Sequence, residues 1–178
     1  MSLPAETATD PGESVVLGLG SNLGDRLEHL RVGFRGLTEQ VGVEAVSDVV
    51  ESEPVGYLDQ PDFLNVIVLG RTSLDPETLL RHLLLVEARS GRRRTVAEGP
   101  RTLDMDLIFY GDRVIDTAFL SVPHPRWMER AFVCVPLLQV DPDRVDPVSG
   151  RTVRELCQGT PGPELRHFAD ARDLEVLP

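Results

Sequence analysis

Two aspartates separated by one residue, Asp104 and Asp106 in the run LDMDLIFY, are the sharpest chemical signal in this chain. In a strand, residues two apart project from the same face, so both carboxylates stand together while Met105 turns away. Two acids inside an otherwise apolar strand repel one another and resist desolvation. A hard divalent cation relieves both penalties, and magnesium favours carboxylate oxygens shared with substrate phosphates. The alternative is a solvated strand face carrying two acids with no further task. Arginines crowd the approach to this pair: Arg92, Arg93, Arg94 and then Arg101 in GPRTLDMD. Guanidinium forks match phosphate oxygens, and phosphoryl transfer needs positive charge on the transferring and leaving groups. The same residues also fit a plain salt-bridge network. His124 in VPHPRW and Arg130 add two phosphate-capable side chains, whereas His29, His82 and His167 fall on expected helix surfaces or in the polar tail.

Phe63 and Asn65 repeat the strand spacing, which sets a flat aromatic beside an amide that both donates and accepts. The pair suits a planar heterocycle, stacked by the ring and read along its edge by the amide. Core packing by Phe63, with Asn65 bonded to a nearby loop, is the competing explanation. Gly18, Gly20 and Gly24 imitate a dinucleotide fingerprint, but the third glycine falls one place late. These glycines instead allow a backbone to pass close to a flat ligand.

Elements that position these residues follow from the pattern of apolar side chains. Val15 to Leu19 reads as a buried strand, and Leu27, Leu30, Phe34, Leu37 and Val41 form a helical stripe. Val43 to Val50 reads as a second strand, SEPVGYLDQPD as a loop, and Phe63 to Leu69 as a third strand. Asp75 caps a helix with Pro76 in its first turn, ending near Ser90 before Gly91. Leu103 to Tyr110 makes a fourth strand that turns at Gly111-Asp112 towards Val114-Ile115, and a helix runs from about Glu129 to Leu138. From Gly159 onward the chain is polar and poorly periodic. The order strand, helix, strand, strand, helix, strand predicts an α+β, ferredoxin-like βαββαβ core. Two helices cover one face of a mainly antiparallel sheet, and the other face is left to bind a ligand. Residues 1–14 are expected to be a disordered tail, and 15–178 a single domain.

Bulk properties narrow the function. At 178 residues the chain suits one domain, and its net charge of −11 disfavours a broad nucleic-acid surface. Every basic side chain is arginine, so a P-loop, which needs its lysine, is excluded. Cys134 and Cys157 lie far apart and show no zinc spacing. No apolar run is long enough to span a bilayer, which leads to the expectation of a cytoplasmic monomer with no membrane partner.

The segments LGLGSNLGDR, SEPVGYLDQPDFLN, GPRTLDMDLIFYG and VPHPRWMERAF resemble the successive motifs of the dihydropterin pyrophosphokinases, over about Val15 to Val153. That resemblance implies transfer of the pyrophosphoryl group of ATP to 6-hydroxymethyl-7,8-dihydropterin, with AMP released, in folate biosynthesis. It implies two magnesium ions held by Asp104 and Asp106, and Arg92 and Arg101 as the arginines that stabilise charge during transfer. Arg94, Arg101, His124 and Arg130 match ATP-contacting positions. Phe63 and Phe132 match the aromatics that sandwich the pterin, Asn65 its amide partner, and Gly20, Ser52 and Val55 the pocket lining. Glu87 matches a helix acid near the site. Many relatives carry a tryptophan just before the GPRTLD segment, whereas Glu98 stands there in this chain. The stretch Gly91 to Gly99 is therefore expected to close as a lid chiefly through arginine–phosphate pairs. Rival classes are a non-catalytic ligand-binding module on the same fold and a different magnesium phosphotransferase that ignores the pterin. An RNA-binding ferredoxin-like domain is disfavoured by charge and by the lack of an aromatic-basic strand motif.

Overall fold

Strand β1 (Glu13–Ser21) alternates between two apolar layers, and that alternation organises the molecule. The computed structural model describes residues 12–91, 99–160 and 162–175. Residues 1–11, most of the expected tail, lie outside that range; β1 itself starts at Glu13, paired with Thr72, two residues inside the expected tail. After β1 come α1 (Arg26–Thr38), β2 (Gly42–Val46), β3 (Val49–Ser52), β4 (Phe63–Thr72), α2 (Pro76–Arg89) and β5 (Asp104–Tyr110). The sheet runs β5-β1-β4-β3-β8, the last being Arg166–Ala169, with β2 also pairing β4, and every neighbouring pair is antiparallel. This is the α+β arrangement expected from the element order.

Both long helices are fixed by their first turns. Asp25 accepts the Glu28 N–H at 3.1 Å at the start of α1, and Asp75 accepts the Thr78 N–H at 3.1 Å at the start of α2. Gly91, at φ 77°, follows the end of α2 in the left-handed conformation that glycine adopts without strain. Leu30, Phe34 and Leu37 of α1 and Leu79, Leu83 and Val86 of α2 pack on Val15, Leu17, Leu19, Leu64, Val66 and Val68. Gly36 lets the helices touch, since a Cβ there would lie 2.7 Å from Val86.

The opposite face is only partly open, which corrects the expectation of a free surface. A 3₁₀ turn (Trp127–Glu129) and α3 (Ala131–Val140) bury Trp127, Val133, Cys134 and Leu137 against Val16, Ile67, Ile108 and Phe109. A β-bulge makes this second core possible. Val16 pairs Phe109 while Leu17 pairs Leu107, so Ile108 is inserted and both Ile108 and Phe109 turn to this side. Phe109 then meets Trp127 edge to face at 5.1 Å.

Other expectations need correcting. The single strand over Val43 to Val50 is two strands, broken at Ser47, whose hydroxyl accepts the Ile67 N–H at 2.9 Å. The turn at Gly111 does not bring Ile115 back onto β5. Instead β6 (Ile115–Asp116) pairs β7 (Ser121–Val122) as a separate hairpin. The polar tail contains α4 (Val153–Leu156), the edge strand β8 (Arg166–Ala169) on β3, and α5 (Arg172–Glu175). Among the described residues no helix is long and apolar enough to cross a membrane.

Candidate active site

Three strands bring the chemistry into one row. Asn65 on β4 pairs Gly20 on β1, and Gly20 pairs Asp104 on β5. At one strand spacing each, Asn65 and Asp104 stand roughly 10 Å apart on the face that α3 leaves open. Gly18 pairs Asp106 in the same way, so the two carboxylates share that face, and Met105 is buried among the helix-side residues. Only a small residue fits at position 20: a Cβ there would come 3.2 Å from Asn65 Oδ1 and 3.9 Å from Asp104 Cβ.

A cavity of about 720 Å³ opens over this row. Gly20, Ser52, Val55, Phe63, Asn65, Arg101, Asp104, Asp106, His124, Arg130 and Phe132 all line it, as does Glu87. Arg92 and Arg94, together with the rest of the expected lid from 92 to 98, lie outside the described residues.

Two arginines each bridge an acid to a ring. Arg101 Nη1 is 3.4 Å from Asp104 Oδ2, and its guanidinium lies 5.2 Å from the Phe63 centroid. Arg130 Nη1 is 3.3 Å from Asp106 Oδ2, with its guanidinium 5.7 Å from the Phe132 centroid. Each arginine thus faces both halves of the cavity, one acidic and one aromatic. The buried Nε of Arg101 has no hydrogen-bond partner among the described residues, a donor that a bound anion would satisfy.

Neighbouring side chains hold these groups in place. Asn22 is buried and ties two loops together: its Oδ1 accepts the Arg101 N–H at 2.8 Å, and its Nδ2 donates to Gln60 Oε1 and the Pro61 carbonyl, each at 2.9 Å. Glu87 is also buried, and its Oε1 accepts the Met105 N–H at 2.8 Å on the free edge of β5. That contact gives the helix acid a placing role between the two aspartates. Asn65 Nδ2 donates to Ser52 Oγ at 3.1 Å, which orients the amide over the ring pocket.

His124 is held neutral. Burial first, then the charges of Arg130 and Arg126, push its pKa down to about 4. Its Nδ1 accepts the Arg126 N–H at 3.1 Å, so the remaining proton sits on Nε2 and makes that nitrogen a donor.

Sequence reasoning did not single out Asn22, Arg126, Phe119, Leu84 or Gly162–Pro163, of which all but Asn22 line the cavity. Arg126 was the detectable one, standing inside VPHPRW. A second cluster, Asp48, His167 and Asp170, has ligand atoms within 4.8 Å of one another at the β3–β8 side, but Asp170 is already paired with Arg172 at 2.6 Å.

A family model described as 7,8-dihydro-6-hydroxymethylpterin-pyrophosphokinase (HPPK) matches residues 16–142. The chain is 45% identical over 145 residues to the 2-amino-4-hydroxy-6-hydroxymethyldihydropteridine pyrophosphokinase of Synechocystis, covering 80% of this chain and 74% of that one. The enzyme of the same description from Aquifex aeolicus is 39% identical over 143 residues, covering 80% of this chain and 89% of that one. A solved HPPK-DHPS structure in complex with substrates superposes with a TM-score of 0.65 at 14% identity, over 83% of this chain and 43% of that one. This chain therefore spans less than half of that protein, and the likeness concerns fold alone.

Proposed function

The chain belongs to the 7,8-dihydro-6-hydroxymethylpterin-pyrophosphokinase family and moves a pyrophosphoryl group to hydroxymethyldihydropterin in folate synthesis; we propose that ATP is the donor and that magnesium at Asp104 and Asp106 serves the transfer. The observation that carries this reading is the placement of Asp104–Arg101 and Asp106–Arg130 in one cavity with Phe63, Asn65 and Phe132.

The donor set fits magnesium. Two carboxylates share one strand face, with side chains 22% and 38% exposed, open enough to meet a hydrated cation bound to phosphates. Held by Asp104 and Asp106, magnesium would supply positive charge to offset the charge that builds on the phosphate oxygens during transfer. Everything else falls to the chain. Phe63 and Phe132 grip the pterin faces, and Asn65, held by Ser52, reads its edge. The pterin hydroxymethyl oxygen then attacks the β-phosphorus while the bond to AMP breaks. Arg101 and Arg130 exchange their carboxylate contacts for phosphate oxygens, and neutral His124 donates from Nε2. The ring pocket sets the attacking oxygen near the phosphorus, so positioning supplies much of the rate. No side chain is assigned as general base, which a loose transition state tolerates. Arg92 and Arg94 remain proposed charge partners from the segment between Gly91 and Gly99.

The test is the identity of the nucleotide product. With ATP, magnesium and hydroxymethyldihydropterin, AMP should appear in step with pterin consumed; ADP in its place would refute pyrophosphoryl transfer. The ring pocket makes a separate prediction. Phe63→Ala and Asn65→Ala should each weaken pterin binding about tenfold or more, because one loses a stacking face and the other a buried hydrogen-bonding edge. Nucleotide affinity should change far less, and calorimetry showing equal losses for both ligands would rule out the pocket.

A further inference from the structure

The loop from Ser52 to Phe63 carries part of the ring pocket at each end and has little apolar burial of its own. Ser52 pairs Phe63 at its neck, and Val55 lines the cavity from within it. Of residues 53–62 only Pro54 is buried, so polar ties must fix where the loop stands. One set of ties is built from four charged side chains just behind the neck. Glu51 precedes Ser52, Asp62 precedes Phe63, and two arginines span the pair. Arg26 Nη1 donates to Glu51 Oε1 at 2.7 Å and to the Asp62 carbonyl at 2.8 Å. Arg166 Nη2 lies 2.6 Å from Asp62 Oδ2 and 3.2 Å from Glu51 Oε2. Arg166 and Phe168 are two apart on β8 and share a face, and the Arg26 guanidinium lies 5.4 Å from the Phe168 centroid. Three residues before Arg166, Pro163 lines the cavity together with Gly162, where a Cβ would come within 2.7 Å of Ala131 on α3. The C-terminal strand thus reaches the ring pocket twice, through Asp62 and through the wall at 162–163.

We propose that Arg166 is a positioning residue for the pterin pocket, setting the Ser52–Phe63 loop and the Gly162–Pro163 wall at the spacing the ring occupies. The proposal rests on the reading of Phe63, Asn65 and Phe132 as that pocket. β8 lies beyond residues 16–142, the span that the family model matches, and no motif of the resemblance includes it. Within the cluster Glu51 is 19% and Arg166 57% exposed, and ion pairs in such a setting add little to global stability. Their effect is local. A loop with one buried residue is tied at both ends, which narrows the conformations it samples before the ring arrives. A pocket set beforehand avoids the ordering cost at binding. Replacing the Arg166 guanidinium by an amide releases Asp62 Oδ2 and leaves Arg26 as the charge tie at the neck. Arg166 does not itself line the cavity, so the nucleotide half should not register its loss.

Calorimetry and steady-state kinetics on the full chain test this together. Titrated with hydroxymethyldihydropterin in the presence of magnesium and α,β-methylene-ATP, Arg166→Gln should bind the pterin about fivefold more weakly, the scale of re-ordering one loop side chain. KM for the pterin should rise by the same factor. Turnover at saturating pterin, affinity for the nucleotide analogue and melting temperature should match the parent. Arg166→Lys should restore pterin binding, because Nη2 makes both short contacts and an ammonium can take its place. Asp62→Asn should lose a similar factor, and the double variant Asp62→Asn/Arg166→Gln no more than either alone, since the two changes remove one interaction. Unchanged pterin affinity in Arg166→Gln, or an equal loss for the nucleotide analogue with a lowered melting temperature, would overturn the positioning role. Phe63→Ala separates that result from a misplaced pocket. If Phe63→Ala weakens the pterin and Arg166→Gln does not, only the role of Arg166 falls. If neither weakens it, the ring pocket falls and the proposal falls with it.

Discussion

Asparagine at position 104 or 106 is expected to lower kcat by about 10³-fold, equivalent to about 4 kcal/mol of transition-state stabilisation. The substitution keeps the shape of the side chain and removes the anionic oxygen that a hard cation requires. It leaves Arg101 or Arg130 facing a neutral amide, so the site gains positive charge just where a second cation should bind. Folding should be almost untouched. The ion pairs are 3.4 and 3.3 Å long between partly exposed groups, and pairs of that kind contribute about 0–1 kcal/mol. Removing one of two like charges on one strand face offsets even that loss. The signature is therefore a collapse in turnover with an unchanged melting temperature and a higher magnesium concentration needed for half-maximal activity. Near-parental turnover in both variants would remove the metal from this site.

The two aspartates were legible because strand alternation is local: spacing alone puts Asp104 and Asp106 on one face. The same rule exposed Phe63 and Asn65, and capping chemistry at Asp75, Pro76 and Gly91 marked both ends of α2. What escaped depends on partners distant in sequence. The break between β2 and β3 is made by Ser47 bonding to Ile67, and nothing in the valine-rich run announces it. The bulge at Ile108 is hidden inside an unbroken apolar stretch. β8 shows no alternation, since Arg166, His167 and Phe168 are all exposed, and it exists through pairing with Val49 to Glu51. Phe119 follows the same logic. A lone phenylalanine in a turn says nothing until the β6–β7 pairing is seen to bring it to the cavity wall.

Asn22 belongs to that hidden group, and it explains why the second large effect is expected at Arg101. An arginine before a strand would ordinarily sweep through many rotamers, losing about 2 kcal/mol of side-chain entropy whenever it is fixed. Here its backbone is pinned on both sides, donating to Asn22 Oδ1 at 2.8 Å and accepting from the Asn22 N–H at 3.1 Å. Its guanidinium lies against Phe63 and beside Asp104, so much of that cost is met before substrate arrives. The buried Nε has no partner among the described residues, and a phosphate oxygen entering between ring and acid would supply one. Pre-set charge of this kind acts where the transferring group gains charge, and removing one such donor typically costs about 10²–10³ in kcat. Arg101→Ala should show that loss with pterin affinity reduced much less, because the ring keeps Phe132 and Asn65. Arg101→Lys should recover only a small part, since an ammonium cannot present two parallel donors to a phosphate. A purely structural role would instead lower the melting temperature and weaken both ligands together. Turnover of Arg101→Ala within about tenfold of the parent, or full recovery by lysine, would show that the fork at this position does not act on the phosphate in transit.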